Sequence, residues 1–193
     1  MRSGFRAVAG HVSPRDRPAT YRHLLRIFRE HGSGHVFDHF ARQTGRALNV
    51  AELVEIYRFH VPNIRLDAET RLVLEHCSRR HRTALITDGA YRMQHNKFQA
   101  LGLERWIQLP VFTDLLGTAK PDDRPFRMVM HRFPDGGPCV YVADNPRKDF
   151  DAPRRLGWTT VRLRRAGGVY EAVPGRCDHE IRSLIEVPAL LAP

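Results

Sequence analysis

The segment CVYVADNPRKDFDAP, Cys139–Pro153, contains the features that decide the fold of this chain. A continuous apolar run, Val140–Ala143, leads into a turn that carries Asp144 and Asp149 on either side of Pro146. Short apolar runs bounded by turn residues are typical of buried strands, and open α/β sheets bind ligands at the carboxyl ends of their strands. The segment therefore predicts a buried strand with two carboxylates at its ligand-binding end.

The charge of the chain raises the question of a nucleic-acid partner. The 193 residues carry a formal net charge of +10, and the isoelectric point is near 10.3. Arginine supplies nearly all of this charge, since the only lysines are Lys97, Lys120 and Lys148. The arginines are scattered, without a long basic block or interleaved aromatic residues, so nucleic-acid binding is the less favoured interpretation.

Cysteine usage and hydropathy indicate a cytoplasmic protein. Cys77, Cys139 and Cys177 are an odd number without paired spacing, which argues against a disulfide framework or a structural zinc site. No apolar stretch approaches the ~18 residues of a membrane span. Residues 1–12 lack the long apolar region of a signal peptide. We therefore expect neither secretion nor membrane association.

Hydrophobic periodicity divides the chain into a helical and an α/β region. In the first part, YRHLLRIFREHG closes at Gly32, and NVAELVEIYRFHVP opens at Asn49, as amphipathic helices do. From residue 83 onward, apolar runs typical of strands alternate with helical segments. This alternation predicts a parallel sheet with helices on both faces. We expect a helical region over residues 1–75 and an α/β, Rossmann-type region over residues 76–193.

Polar residues follow several of the predicted strands. Thr87 closes the strand ALIT, Lys120 lies in GTAKPDDRPF, and Asp144 and Asp149 lie in VADNPRKD. A hydroxyl and backbone N–H groups can hold phosphate oxygens, an ammonium can neutralise developing charge, and carboxylates can hold Mg²⁺. Singly, these residues could equally be turn formers, helix caps or exposed loop residues. Their order along the chain favours phosphoryl chemistry.

The segments LITDG, AKPDDRPF and VYVADNPRKDF resemble the second, third and fourth motifs of the haloacid dehalogenase (HAD) superfamily of Mg²⁺-dependent phosphohydrolases. The resemblance covers residues 83 to about 165, with the family's order and spacing, and the helical region before it is similar to the family's cap. It implies a HAD-like core with a helical cap, a small phosphorylated substrate and Mg²⁺ as cofactor.

The resemblance also implies roles for individual residues. Thr87 would bind the transferring phosphoryl group, and Lys120 would steady it. Asp144 would hold the metal, while Asp149 would hold it or orient its waters.

Substrate contacts are expected from two places in the sequence. Asp88 and Gly89 follow Thr87 directly, and their backbone N–H groups are placed to hold phosphate oxygens. Arg58 and His60 lie in EIYRFHVPNIRL, which is similar to cap segments of phosphatase-like members. From there they would contact a substrate anion.

Two features depart from the family's pattern. Ala143 stands where the family usually has glycine before the metal aspartate. HAD enzymes also start with an apolar strand ending in Asp-x-Asp, whose first aspartate is the nucleophile, whereas the first aspartate here, Asp16, follows no such strand. Two interpretations stay open. The chain begins after this motif, or it is a shortened, catalytically silent relative that binds a ligand or a partner.

The absent strand has a structural consequence. By the resemblance it is central in the sheet, between the strands that end at Thr87 and Asp144. Without it, those two strands pair directly or leave unpaired backbone edges. We expect such a chain to be poorly stable, and to self-associate or borrow a strand.

Overall fold

The computed structural model describes residues 2–32 and 34–191, which divide into two compact units. The first unit comprises the residues up to Ile64 together with His95–Leu101. The second comprises Arg65–Gln94 and the residues from Gly102 onward. In the described part of the chain, no helix has both the length and the apolar character required to cross a membrane.

The division at Ile64 precedes the boundary at residue 75 that the sequence suggested. The reason is the helix Ala68–Arg80, which packs within the second unit against the turn Leu184–Glu186 and the helix Val187–Leu190. Its buried Val73 belongs to the same apolar cluster as Val187. This helix is therefore part of the α/β unit.

The first unit is helical. Its helices are α1 (Arg2–Val12), α2 (Arg17–His31), α3 (Val36–Thr44) and α4 (Val50–Phe59). Five large side chains of its core are each at most 2% exposed, namely Phe5, Leu24, Ile27, Phe40 and Leu53. The expected end of α2 at Gly32 is confirmed, and so is the cap of α4, where the Asn49 side chain accepts a hydrogen bond of 3.2 Å from the Glu52 N–H.

Helices α1 and α4 approach each other closely at Gly4. A Cβ atom added to Gly4 would lie 2.6 Å from Cδ2 of Tyr57 and 3.0 Å from the Tyr57 carbonyl oxygen. At Gly10, on the same helix, an added Cβ would meet only the Arg17 side chain, at 3.7 Å, which is an ordinary van der Waals contact. The helix crossing therefore requires glycine at position 4 and not at position 10.

We predict that Gly4→Ala destabilises the first unit and that Gly10→Ala does not. The methyl group at position 4 overpacks the contact with Tyr57, which typically costs ~1–3 kcal/mol. At position 10 the change has room and raises helix propensity by up to about 1 kcal/mol. Urea denaturation followed by circular dichroism measures both. Equal stability of the two variants would contradict the close crossing.

The second unit alternates helices with strands, and α6 is shared between the two units. In chain order its elements are α5 (Ala68–Arg80), β1 (Ala84–Thr87), α6 (Tyr91–Ala100), β2 (Leu109–Phe112), α7 (Arg124–Arg132), β3 (Val140–Ala143), α8 (Asp151–Arg155), β4 (Thr159–Leu163), β5 (His179–Ile181) and α9 (Val187–Leu190). The predicted α/β class is confirmed, because β1 pairs with β2, β3 with β4, and β4 with β5, all in parallel. Strand β5 was not predicted from the sequence.

The strands form two separate sheets instead of one. One sheet has the order β1-β2 and the other β3-β4-β5, and no ladder joins β1 to β3 among the described residues. The sequence analysis expected either direct pairing of β1 with β3 or unpaired strand edges, and the described residues show no direct pairing. A cluster of apolar side chains nevertheless holds both sheets, since Ile86 and Val111 of the first pack with Phe126 and Trp158.

A cavity of about 1230 Å³ lies between β1 and β3, and we call it the strand slot. Its walls include Ala84–Ile86 of β1, Val140–Val142 of β3 and Val73 of α5. Among residues 2–32 and 34–191, β1 pairs only with β2 and β3 only with β4, so each has one edge without a ladder partner. Unpaired strand edges are templates for pairing with a further chain. The slot is therefore suited to one extended apolar segment between β1 and β3.

We predict that an apolar peptide of strand length stabilises the chain. A strand in the slot would give the free N–H and C=O groups of β1 and β3 partners, and leaving such groups unpaired costs ~1–3 kcal/mol each. The melting temperature should rise by several degrees with the peptide, and light scattering should show less self-association. A peptide with proline at its centre is the control, because it cannot complete the ladder. If the chain melts cooperatively as a monomer and neither peptide changes its melting temperature, the sheets need no further strand.

Candidate active site

The predicted site residues of the second unit lie at the carboxyl ends of its strands. Thr87 is the last residue of β1, and Asp144 directly follows β3. Lys120 follows β2 after the turn Thr113–Leu116, and Asp149 ends the turn that begins after Asp144. Parallel strands bring these loops to one edge of the unit, which is the usual place for ligands in α/β folds.

Lys120 and Asp149 form a buried ion pair. The Lys120 Nζ lies 2.8 Å from Oδ1 of Asp149, and the two side chains are only 9% and 4% exposed. Lys120 also donates a hydrogen bond of 3.2 Å to the Tyr141 hydroxyl. Burial alone would lower the pKa of Lys120, but Tyr141 and the Asp149 carboxylate raise the pKa above its usual value. Lys120 is thus a fixed cation at the strand ends.

The turn after β3 holds Asp149 in place. Its Oδ2 accepts a hydrogen bond of 3.0 Å from the Asn145 N–H, and its own N–H donates to the Asn145 carbonyl at 3.1 Å. The Asn145 side chain is buried and accepts a hydrogen bond of 3.1 Å from the Arg147 N–H. The turn therefore holds Oδ2 of Asp149 by a hydrogen bond, whereas Oδ1 is buried and, within the described residues, is reached only by the ion pair with Lys120.

Asp88 joins three loops of the site. Its Oδ1 accepts hydrogen bonds from the Thr113 hydroxyl at 3.0 Å and the Lys120 N–H at 3.2 Å, and its Oδ2 pairs with the Lys148 ammonium. Burial raises the pKa of Asp88, but the hydrogen bonds from Lys148 and Lys120 more than offset this, so the pKa lies below its usual value. The Asp88 carboxylate therefore joins the three loops, and the substrate contact expected at Asp88, through its backbone N–H, stays a prediction.

Thr87 and Gly89 flank Asp88 and are more open. Within the described residues, the Thr87 hydroxyl has no hydrogen-bond partner, although the Thr87 carbonyl accepts one from Thr113. Gly89 is exposed and has a φ of 104°, which side-chain-bearing residues rarely adopt, and this lets the chain turn sharply between β1 and α6. These two positions leave a hydroxyl and a turn of backbone accessible at the end of β1.

The carboxylates fit a magnesium ion only in part. Asp144 is exposed at the end of β3 and can supply one oxygen ligand. Asp149 was expected to hold the metal or its waters, but its oxygens are engaged by Lys120 and Asn145. Across residues 2–32 and 34–191, no three His, Cys, Asp or Glu side chains are grouped closely enough to hold a metal ion. These residues do not complete a Mg²⁺ site by themselves.

His60 and Arg58, the other expected substrate contacts, belong to the first unit. The His60 Nδ1 lies 2.8 Å from the Tyr57 carbonyl oxygen, so this nitrogen carries the proton, and Nε2 accepts a hydrogen bond of 2.9 Å from the Ser3 hydroxyl. Ser3 in turn accepts a hydrogen bond of 3.1 Å from the Asn63 N–H. His60 therefore ties the end of α4 to the start of α1, whereas Arg58 is exposed.

The sequence analysis missed two residues of the site. Lys148 pairs with Asp88, and Tyr141 contacts Lys120 from within β3. One signal was available for Lys148, because two of the chain's three lysines fall in the quoted motifs. No such signal marks Tyr141, since an aromatic residue in a strand is ordinary core.

We predict that Asp88→Asn destabilises the second unit by ~1–3 kcal/mol, because the amide leaves Lys148 without a counter-charge and turns N–H groups toward other donors. Asp135→Asn, which removes the same charge from an exposed turn, should have little effect. The lowered pKa of Asp88 means that its contribution is present above the unfolded carboxyl pKa and is lost as the pH falls through the folded pKa.

The unfolding free energies of wild type and Asp88→Asn should therefore differ at neutral pH and converge only as the pH falls through the lowered pKa of Asp88, below the usual carboxyl range. Urea titrations at several pH values measure this difference. A constant difference across the whole pH range would show that Asp88 acts through its shape and not through its charge.

Comparison with known proteins identifies the family and the fold of the chain. The sequence profile of the haloacid dehalogenase-like hydrolases matches residues 7–157. The chain is 35% identical over 81 residues to phosphoserine phosphatase of Thermus thermophilus, covering 40% of this chain and 32% of the relative. It is 30% identical over 99 residues to glyceraldehyde 3-phosphate phosphatase of Methanopyrus kandleri, covering 50% and 41%. The matches span less than half the length of these curated relatives.

Solved structures share the fold. A HAD-superfamily hydrolase of subfamily IA from Geobacter sulfurreducens superposes with a TM-score of 0.67 at 18% identity, covering 99% of this chain and 88% of that one. The 2-haloacid dehalogenase of Pseudomonas syringae gives a TM-score of 0.63 at 22% identity, covering 98% and 89%. Because the family profile spans most of the chain and the fold agrees, this protein belongs to the haloacid dehalogenase-like hydrolases.

Proposed function

We propose that this chain provides the phosphoryl-binding site of a Mg²⁺-dependent phosphohydrolase acting on small phosphate esters. The observation that carries the proposal is the buried Lys120 ammonium, held by Asp149 and Tyr141 at the carboxyl ends of the strands. A fixed cation in a site shielded from water is suited to stabilising the charge that develops on a transferring phosphoryl group. The phosphatase relatives support a small phosphorylated substrate.

Each residue of the proposed site has one task. Lys120 donates to a phosphoryl oxygen, and the Thr87 hydroxyl with the backbone at Gly89 binds the other oxygens. Asp149 fixes Lys120, and Asp88 fixes the loop that carries Lys120. Asp144 would supply one carboxylate to Mg²⁺, which neutralises phosphate charge when bound.

The setting proposed for this activity is the cytoplasm, with no nucleic-acid or membrane partner. Cys77, Cys139 and Cys177 are all free thiols, as in a reducing compartment. The chain has three lysines, and its arginines are scattered, which supports a small anionic substrate better than a nucleic acid.

A second candidate function is a catalytically silent protein that binds a ligand or a partner. One observation favours it: lysines neutralise both Asp88 and Asp149, so Asp144 is the only carboxylate of the predicted site left exposed. A site of this kind can hold an anion without cleaving a bond.

The proposal predicts phosphate binding that depends on Lys120. Calorimetry with inorganic phosphate should show about tenfold or greater loss of affinity in Lys120→Met, because a charge-assisted hydrogen bond is removed, and a smaller loss in Thr87→Val. Lys97→Met removes the same charge from the first unit and should leave the affinity unchanged. Absence of phosphate binding to the wild type would exclude the proposed site.

Turnover separates the two candidates. With Mg²⁺, we expect residues 1–193 alone to hydrolyse an aryl phosphate no faster than Thr87→Ala, because loss of a nucleophile costs many orders of magnitude. An apolar peptide that fills the strand slot and ends in Asp-x-Asp should restore turnover, and the matched Asn-x-Asp peptide should not. If the first peptide stabilises the chain without turnover, the silent-binder function is the better one.

A further inference from the structure

The Lys120 ammonium has three N–H donors, and two of its partners are known. Asp149 Oδ1 lies at 2.8 Å and the Tyr141 hydroxyl oxygen at 3.2 Å. Among the residues that the structure describes, no other acceptor is recorded for Nζ. The ion pair with Asp149 and the hydrogen bond to Tyr141 restrict how the ammonium can turn, and Tyr141 is the partner that engages a defined N–H donor.

Tyr141 is itself held rigidly. Its ring packs edge-to-face against Phe126 at a centroid distance of 5.0 Å and against Trp158 at 6.4 Å. Phe126 is fully buried and packs edge-to-face on Trp158 at 5.5 Å. Strand β3 fixes the backbone, with Tyr141 in register with Thr160 of β4. The hydroxyl oxygen is consequently a stationary acceptor.

Tyr141 and Asp149 hold Lys120 in different ways. Asp149 supplies a negative charge that keeps the ammonium in the buried site. Burial raises the pKa of Tyr141 to about 12, so its hydroxyl is neutral at physiological pH and accepts an N–H without cancelling positive charge. The ammonium is fixed at a second point while it keeps its charge for an incoming anion.

We infer that Tyr141 is a positioning residue for Lys120, whose hydroxyl aims the free N–H of the ammonium at a phosphoryl oxygen. This inference rests on the proposed function, because it deepens the role of Lys120 in phosphate binding. Tyr141 thus has a positioning role that neither its place in a core strand nor its residue type indicates.

The test is a double-mutant cycle on the affinity for inorganic phosphate. Tyr141→Phe keeps the ring contacts and removes the acceptor, and we expect about five- to tenfold weaker binding, the size of one hydrogen bond. In a Lys120→Met background the same change should have no effect, because Tyr141 acts through Lys120. Tyr170→Phe, which removes a hydroxyl from the loop after β4, is the matched control and should bind like wild type.

A second measurement needs no phosphate. Nitrogen-15 NMR should show a Lys120 ammonium signal that is protected from exchange in wild type and in Tyr170→Phe, and that exchanges faster in Tyr141→Phe. Unchanged protection, or a Tyr141→Phe loss of affinity that persists in Lys120→Met, overturns the inference while the proposed function stands. Wild-type protein that binds no phosphate overturns both.

Discussion

Two lysine–aspartate pairs connect the two sheets of the α/β unit, and they run in opposite directions. Lys120, from the loop after β2, reaches Asp149 after β3, and Lys148, after β3, reaches Asp88 after β1. No ladder links β1 to β3 in the described residues. The two ion pairs and the apolar cluster around Phe126 therefore connect the two sheets in place of backbone hydrogen bonds. Removing one partner of a buried pair such as Lys120–Asp149 typically costs ~3–5 kcal/mol, and the Lys148–Asp88 pair contributes less because the Lys148 side chain is 36% exposed.

Such pairs are seldom the most stable way to join two elements, because taking two charges out of water costs as much as their attraction returns. Apolar residues of similar volume would serve stability equally well. Their presence at strand ends is better explained by function, since buried ionic groups hold loops in one geometry and provide a charge that a ligand can use. The stability of this unit and the ligand site proposed for it therefore depend on the same side chains.

The strand slot and the candidate site are adjacent along strands β1 and β3. The walls of the slot run along Ala84–Ile86 and Val140–Val142, and the next residues of both strands lead to Thr87 and Asp144. A parallel strand in the slot would end level with these residues, beside Lys120. A strand placed there would both pair with β1 and β3 and bring a further side chain toward these residues.

The sequence by itself determined the α/β class, the parallel strands, the helix limits at Gly32 and Asn49, and the clustering of Thr87, Lys120, Asp144 and Asp149 at strand ends. These follow from local periodicity, caps and the rule that parallel strands end at one edge. Only the tertiary structure decided that Asp149 serves Lys120, that Asp88 binds Lys148, that His60 ties Ser3 to Tyr57, and that β1 and β3 stay apart. These outcomes depend on which side chains meet across long sequence separations, and competition for a few hydrogen-bond partners is settled by packing that spacing along the chain does not encode.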